Sequence, residues 1–263
     1  MGPGASRRPA RVSRGALCAG ARVVAGPGPA GATRLEVLRS SPPLALRPAA
    51  GLLWMVGTAA GPLPGDRVSL RIEVREGASL TLRSTAATVA LGGQGDSHSE
   101  LRVDVEVGAN GELRWFPEPT IASARCHHRV AAHVRLAAGA RLVWRDELVL
   151  GRHGEGPGRV ASRIEVDAGG VPLMRQELRV GEGAPGWLGA AVTGGAGAVG
   201  MVLVVGFGPA GDLPELTAAA LGPEVAVLPL AGGGTLVSAL APDALELRRR
   251  LDAGLETLGT CPR

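Results

Sequence analysis

One pattern governs what this chain can fold into: short runs of strict apolar–polar alternation, each followed by a glycine turn, recurring at a fixed spacing. Val68, Leu70, Ile72 and Val74 alternate with Arg71, Glu73 and Arg75, then come Gly77-Ala78 and the apolar pair Leu80 and Leu82. The same phrase returns as Leu101, Val103, Val105, Val107, then Gly108-Ala109, then Leu113 and Trp115. It returns again as Val130, Ala132, Val134, Leu136, then Gly139-Ala140, then Leu142 and Trp144. A looser copy runs through Ile164 and Val166 to Gly169-Gly170 and Leu173. Gly77, Gly108, Gly139 and Gly170 stand 31 residues apart. Period-two alternation means strands with one buried face, and a glycine between two such runs signals a hairpin. A regular spacing of these units predicts a mainly β fold of stacked antiparallel β-hairpins, arranged as two layers or as a β-helix-like body.

The flanks read differently. Residues 1–20 are rich in Arg, Gly and Pro and are expected to be a flexible tail. Residues 21–185 form the β-hairpin body. Residues 186–263 are expected to be a C-terminal α/β layer packed on it within one globular unit. In that layer the Gly194–Gly200 segment reads as a linker and Val199–Val205 as a buried strand. Leu213–Leu221 reads as a short helix with Asp212 as N-cap, and Leu228–Leu230 and Thr235–Leu240 as strands. Pro242–Leu258 reads as a second helix, with Leu247, Leu251, Leu255 and Leu258 on one face.

Several function classes are excluded by what is missing. All 28 basic residues are Arg and Tyr is absent, so the pI of about 10.0 partly reflects the lack of Lys and Tyr to titrate. The arginines are scattered and aromatics make up 2%, unlike a nucleic-acid surface with stacking platforms. Gly195–Gly200 fits G-x-G-x-x-G but precedes a strand instead of opening a helix, so it reads as linker. There is no Walker lysine, HExxH or GxSxG. Three cysteines without a CxxC, no secretory apolar region, and a longest apolar run of about ten residues (Ala198–Phe207) point to the cytoplasm.

The candidate chemical residues each have a plain alternative. Cys126 and His128 share the inward parity of Val130, Ala132 and Val134, while His127 and His133 point away. The pair is either a half-buried strand start or a transient soft-ligand site. Asp146 stands in the inward row of Leu142, Trp144, Leu148 and Leu150. It must there be paired, hydrogen-bonded or facing water or a cation path, unless a bulge turns it out. Asp66 opens the inward row of Val68 or sits in the turn after Pro64-Gly65. Glu118 is held between Pro117 and Pro119, and Glu155 lies in the polar loop Gly151-Arg152-His153-Gly154. Both also fit surface turns.

Several of these segments together resemble the urease accessory protein D family (UreD, called UreH in some organisms). Ser41-Pro42-Pro43-Leu44 is similar to its "SPPL" element, and Gly61-Pro62-Leu63-Pro64-Gly65-Asp66 to "GGL..GD". Leu80–Val89 resembles its Thr/Ala-rich segment, and Trp115-Phe116-Pro117-Glu118-Pro119-Thr120-Ile121 its "W.PEP.I". Asp146-Glu147, Gly151-Arg152 and Gly154-Glu155 together resemble "DE...GR..GE". The likeness covers residues 35–180, more weakly the C-terminal helix. Two departures are Gly61-Pro62 in place of the paired glycine and the lack of the family's Lys and Tyr within Ser84–Leu91. The resemblance implies a non-enzymatic maturation scaffold with a β-helix-like body and two helices. It would bind apo-urease and UreF, which recruits the GTPase UreG. It would hold no cofactor tightly, but would pass Ni²⁺ in transit through an internal water-filled passage. Conduction needs weak, oxygen-rich stations, so Asp66, Glu118, Asp146 and Glu155 rank as passage residues above His128 and Cys126. Trp115, Pro117, Pro119 and Arg152 would shape a partner-binding or structural motif. Such a protein would carry apolar partner faces and dissolve poorly alone. A different expectation is a small cytosolic enzyme using Asp146, Glu155 and His128 as acid–base groups, and a third is a β adhesion module.

Overall fold

A computed structural model describes residues 15–93, 96–207 and 218–259. These form eighteen strands and one α-helix. The first strands are β1 (Cys18–Pro27), β2 (Thr33–Arg39), β3 (Leu44–Ala49), β4 (Leu52–Gly57), β5 (Arg67–Val74) and β6 (Ser79–Ser84). Next come β7 (Thr88–Ala90), β8 (Ser99–Val107), β9 (Glu112–Phe116), β10 (Thr120–Ala122), β11 (His127–Leu136) and β12 (Arg141–Val149). The last are β13 (Arg159–Ala168), β14 (Val171–Val180), β15 (Ala198–Val205), β16 (Ala219–Gly222), β17 (Val225–Pro229) and β18 (Thr235–Ala241), followed by α1 (Ala244–Thr257).

The alternating runs lie where the pattern put them, and the body is a two-layer, β-solenoid-like stack. The strands on either side of the turns at Gly77, Asn110 and Gly139 do not pair with each other, however; only β13 and β14, across Gly169-Gly170, form the expected hairpin. The chain crosses at each of those three turns from one sheet to the other, and each strand then pairs in parallel with its counterpart in the next coil. The first sheet runs β14-β13-β11-β8-β5-β1-β2, with β1, β5, β8, β11 and β13 parallel. The second runs β16-β17-β18-β15-β12-β9-β6-β4-β3, with β4, β6, β9 and β12 parallel. Antiparallel hairpins occur at the margins, as in β1–β2, β3–β4 and β13–β14.

Parallel register explains why the repeat reads so clearly. Leu70, Val103, Ala132 and Ile164 stand side by side, as do Ile72, Val105, Val134 and Val166. Across the core, Leu80, Leu113 and Leu142 form a ladder, and Trp144 stacks on Trp115 at 4.8 Å between ring centroids. Each such buried side chain contributes about 1.5–3 kcal/mol through removal from water. Register also corrects the glycine spacing. Val74, Val107 and Leu136 are equivalent, so the turn equivalents three residues on are Gly77, Asn110 and Gly139. These three take positive φ of 68°, 53° and 68°, whereas Gly108 does not. Asn is the residue besides Gly that most readily enters this left-handed region.

The turns close one end of the wedge between the sheets, and the longer connections β6–β8, β9–β11 and β12–β13 lie at the other. There the sheets part. Val68, Leu101, Val130, Ser162 and Asp146 have inward parity but are only half-buried, while their neighbours one step deeper are buried.

The C-terminal segment extends the second sheet by β15–β18, and α1 covers that sheet's outer face. Asp243 caps α1 by accepting from Glu246 N–H at 2.9 Å. Leu247, Leu251 and Leu255 pack onto Val143, Val202 and Val237. Gly254 permits close approach, because a Cβ there would meet Val237 Cγ1 at 2.4 Å. Two helices were expected here. Of Leu213–Leu221, the described part enters strand β16 at Ala219, while Asp212 and Leu213–Thr217 lie outside the described residues. Of the segment expected as a tail, residues 1–14 lie outside the described residues and Cys18 already begins β1.

Candidate functional site

The open end of the wedge holds a cavity of about 350 Å³. The first sheet contributes Val68, Leu101, His128, Val130 and Ser162. The second contributes Met55, Ser84, Trp115 and Asp146, and the Pro117-Glu118 segment and the Ala59–Pro62 and Thr85–Thr88 connections complete the rim. Of the sequence candidates, Glu118, Asp146 and His128 line this space, with Trp115 and Pro117 as walls.

Asp146 projects between the sheets as its parity predicts. Ser162 Oγ on β13 donates to its Oδ2 at 2.8 Å. Burial pushes its carboxyl above the usual carboxylate range, opposed by the Ser162 bond and assisted by the Glu147 charge next to it. Its residual exposure is to the cavity, which explains how a carboxyl so enclosed is tolerated.

His128 is 1% exposed. Its Nδ1 lies 2.9 Å from Ser99 Oγ, and burial pushes the imidazole down to about 4, so the ring is neutral at pH 7.

Glu118 sits at the rim with its side chain 39% exposed. Its backbone N–H donates to Ser84 Oγ at 2.8 Å, and Arg248 Nη1 from α1 reaches both carboxylate oxygens at 3.0 and 3.1 Å. The other edge of the same guanidinium grips Glu147 at 2.6 and 3.1 Å, and Glu147 is 0% exposed. Arg145 is also buried, pairs with Asp252 of α1 and lies over the Phe116 ring. Arg145, Glu147 and Arg248 were missed as site residues, since their parity faces away from the core. The continuous apolar run of β15, beside β12, is the signal that this outer face is covered.

The remaining candidates lie elsewhere. Asp66 is buried and accepts from Leu17 N at 2.9 Å and Leu63 N at 3.0 Å, tying the approach to β1 onto a turn. Glu155 is drawn down to about 2, first by the Arg152 guanidinium at 2.6 Å and also by Ala124 N–H and Arg152 N–H. It fastens its own loop, where Gly151 at φ 103° leaves no room for a Cβ beside Glu155 O. Cys126 is buried in a separate cluster with Ala122, Leu148 and Val160, and burial pushes its thiol up to about 11. Pro119 accepts from Thr88 N at 2.9 Å, which sets the course of the rim. Asp146, Glu155 and His128 therefore do not meet as one acid–base centre. Among the described residues no three His, Cys, Asp or Glu side chains converge as a metal cage.

The family profile described as "UreD urease accessory protein" matches residues 18–261. The chain belongs to the UreD family. A relative from Streptomyces avermitilis, named "Urease accessory protein UreD", is 46% identical over 235 residues, covering 87% of this chain and 92% of the relative. One of the same name from Frankia alni is 43% identical and covers 95% and 96%, and one from Streptomyces coelicolor is 43% identical and covers 93% and 98%. No helix among the described residues of this UreD chain is long and apolar enough to cross a membrane.

Proposed function

We propose that the chain is a non-enzymatic urease maturation factor in the cytosol. It binds apo-urease and UreF, through which the GTPase UreG joins, and Ni²⁺ travels as cargo through the cavity between the sheets. Membership in the UreD family supports the maturation role. The observation that carries the route is Asp146, a carboxyl aimed into an internal space whose rim carries a second carboxylate, Glu118. A passage needs stations that attract a hydrated divalent ion yet release it. Single carboxyl groups, one hydrogen-bonded to Ser162 and one paired with Arg248, fit that requirement better than a closed His/Cys cage, which would trap a borderline metal.

The test is Asp146→Asn, which keeps a partner for Ser162 but removes the ionisable carboxyl. Urease activated in the presence of the variant should carry less nickel per active site by elemental analysis, while pull-down of UreF and apo-urease stays at the parent level. Full nickel occupancy with the variant would overturn the route.

A further inference from the structure

The cavity between the sheets is larger than a packing flaw and is walled mostly by apolar side chains. At ~30 Å³ for each water-sized occupant, its volume of about 350 Å³ gives room for about a dozen non-hydrogen atoms. Sites for small organic molecules are of this kind, ~300–1,000 Å³ with apolar and aromatic walls and a few placed polar groups. The first sheet supplies Val68, Leu101 and Val130, and the second supplies Met55 and the stacked indoles of Trp115 and Trp144. A planar aromatic ring meets such indoles offset or edge-to-face, and the Met55 thioether adds a polarizable contact.

The polar groups say what edge such a ring carries. Asp146 lines the space and keeps exposed surface there, with its Oδ2 accepting from Ser162 Oγ at 2.8 Å. A primary amide holds N–H and C=O side by side, so it can donate to a carboxylate and accept from a carboxylic acid. Charged ligands fit less well. An ammonium brings three donors, but Ser162 already engages Asp146, and Arg248 holds both oxygens of Glu118. Donors left unmet in an apolar enclosure are costly. An anion would meet two carboxyl groups, while the nearby Arg248 is committed to Glu118 and Glu147.

We propose that the cavity is a binding site for an uncharged planar aromatic molecule of about a dozen non-hydrogen atoms, with its amide-type edge on Asp146. The ring lies between the aliphatic side chains of the first sheet and the indoles of the second. Asp146 is the binding residue, and Ser162 positions its carboxyl. Entry is past the Pro117-Glu118 segment and the Ala59–Pro62 and Thr85–Thr88 connections that form the rim. The site goes beyond the nickel route and does not rest on it. The two exclude each other at any moment, since an occupant of this size fills the space an ion would cross.

The test uses the full chain and 2-naphthamide, an uncharged probe of the expected size. Calorimetric titration should show saturable binding, and soaked crystals should show the ring between the sheets. Near neutral pH the matched anion 2-naphthoate and the cation 2-naphthylmethylamine should each bind at least tenfold more weakly. Asp146→Ala removes the polar group and should weaken the amide at least tenfold. Asp146→Asn keeps a donor and an acceptor and should stay within about threefold of the parent. Val130→Phe fills the space and should abolish binding while still unfolding cooperatively. Absent binding by the parent overturns the site, as does tighter binding of the amine, or unchanged binding by folded Asp146→Ala and Val130→Phe. If neither variant folds, the parent crystal decides, and probe density anywhere but between the sheets overturns the site. Nickel loading of urease is read separately, at saturating 2-naphthamide. Undiminished loading with the probe in place would sink the nickel route and leave this site standing, whereas absent probe binding would sink this site and leave the route.

Discussion

Arg248 bridges the rim of the cavity to the underside of α1, so its removal tests how the two are joined. Arg248→Met leaves the Glu147 carboxylate enclosed, with Arg145 Nε at 3.7 Å as its remaining cation. Breaking a buried ion pair by deleting one partner costs ~3–5 kcal/mol. Arg248 keeps 30% of its side chain in water and Arg145 stays in place, which puts the cost near the lower end, about 3 kcal/mol. For a chain of this length that corresponds to a fall in Tm of about 6 °C. Glu118, largely solvated, contributes little to the loss. The diagnostic variant is the double replacement Arg248→Met with Glu147→Leu. It removes the stranded charge together with its partner and should regain about 2 kcal/mol relative to Arg248→Met alone. Urea titrations followed by tryptophan fluorescence, to which the stacked Trp115 and Trp144 contribute, give the four free energies of the cycle. Additivity within about 0.5 kcal/mol would refute the claim that Glu147 and Arg248 stabilise each other beneath the helix.

Two further outcomes follow from the turns and loops. Asn110 sits at φ 53°, so Asn110→Ala should lose about 1 kcal/mol in denaturant titration while Asn110→Gly should stay within a few tenths. Glu155 is held down to about 2 by Arg152 and two backbone N–H groups, so its contribution is complete above the ordinary glutamate value. That contribution fades as pH falls from about 4.5 towards 2, so the stability gap between parent and Glu155→Gln should be flat above pH 5 and closed near pH 2. A gap independent of pH would refute the pairing.

Much of the strand layout was legible because one buried face writes itself into the sequence as alternation. Val68–Val74, Leu101–Val107 and Val130–Leu136 all became strands with that face inward. Alternation says nothing about which backbone supplies the hydrogen bonds, so hairpin pairing and parallel coil-to-coil pairing predict the same pattern. The spacing of Gly77, Gly108 and Gly139 added to this, since Asn110 and not Gly108 occupies the strained turn position. For the site, parity placed Asp146 and His128 inward correctly. It could not show that the opposite face of β12 is roofed by a helix about a hundred residues later, which is why Arg145 and Glu147 read as solvent-facing. Asp66 and Glu155 stand apart from the cavity for a local reason. Backbone amides and Arg152 claim their oxygens, and nothing in residue spacing announces such ties.

The wedge shape has a bearing on how chains of this build change over time. At the narrow edge, successive turns are laced together, with Gly77 N bonded to Ala109 O and Asn110 N to Ala138 O. One extra residue there would throw a whole ladder out of step and invert its inner face. At the wide edge the lacing is carried by the short parallel ladder of β7, β10 and β12, so the stretches beyond it, between β7 and β8, β10 and β11, and β12 and β13, can lengthen or shorten without shifting the long ladders of the two sheets. Insertions and deletions in this lineage should therefore gather around the cavity mouth, so that drift in chain length becomes drift in the shape of the entrance.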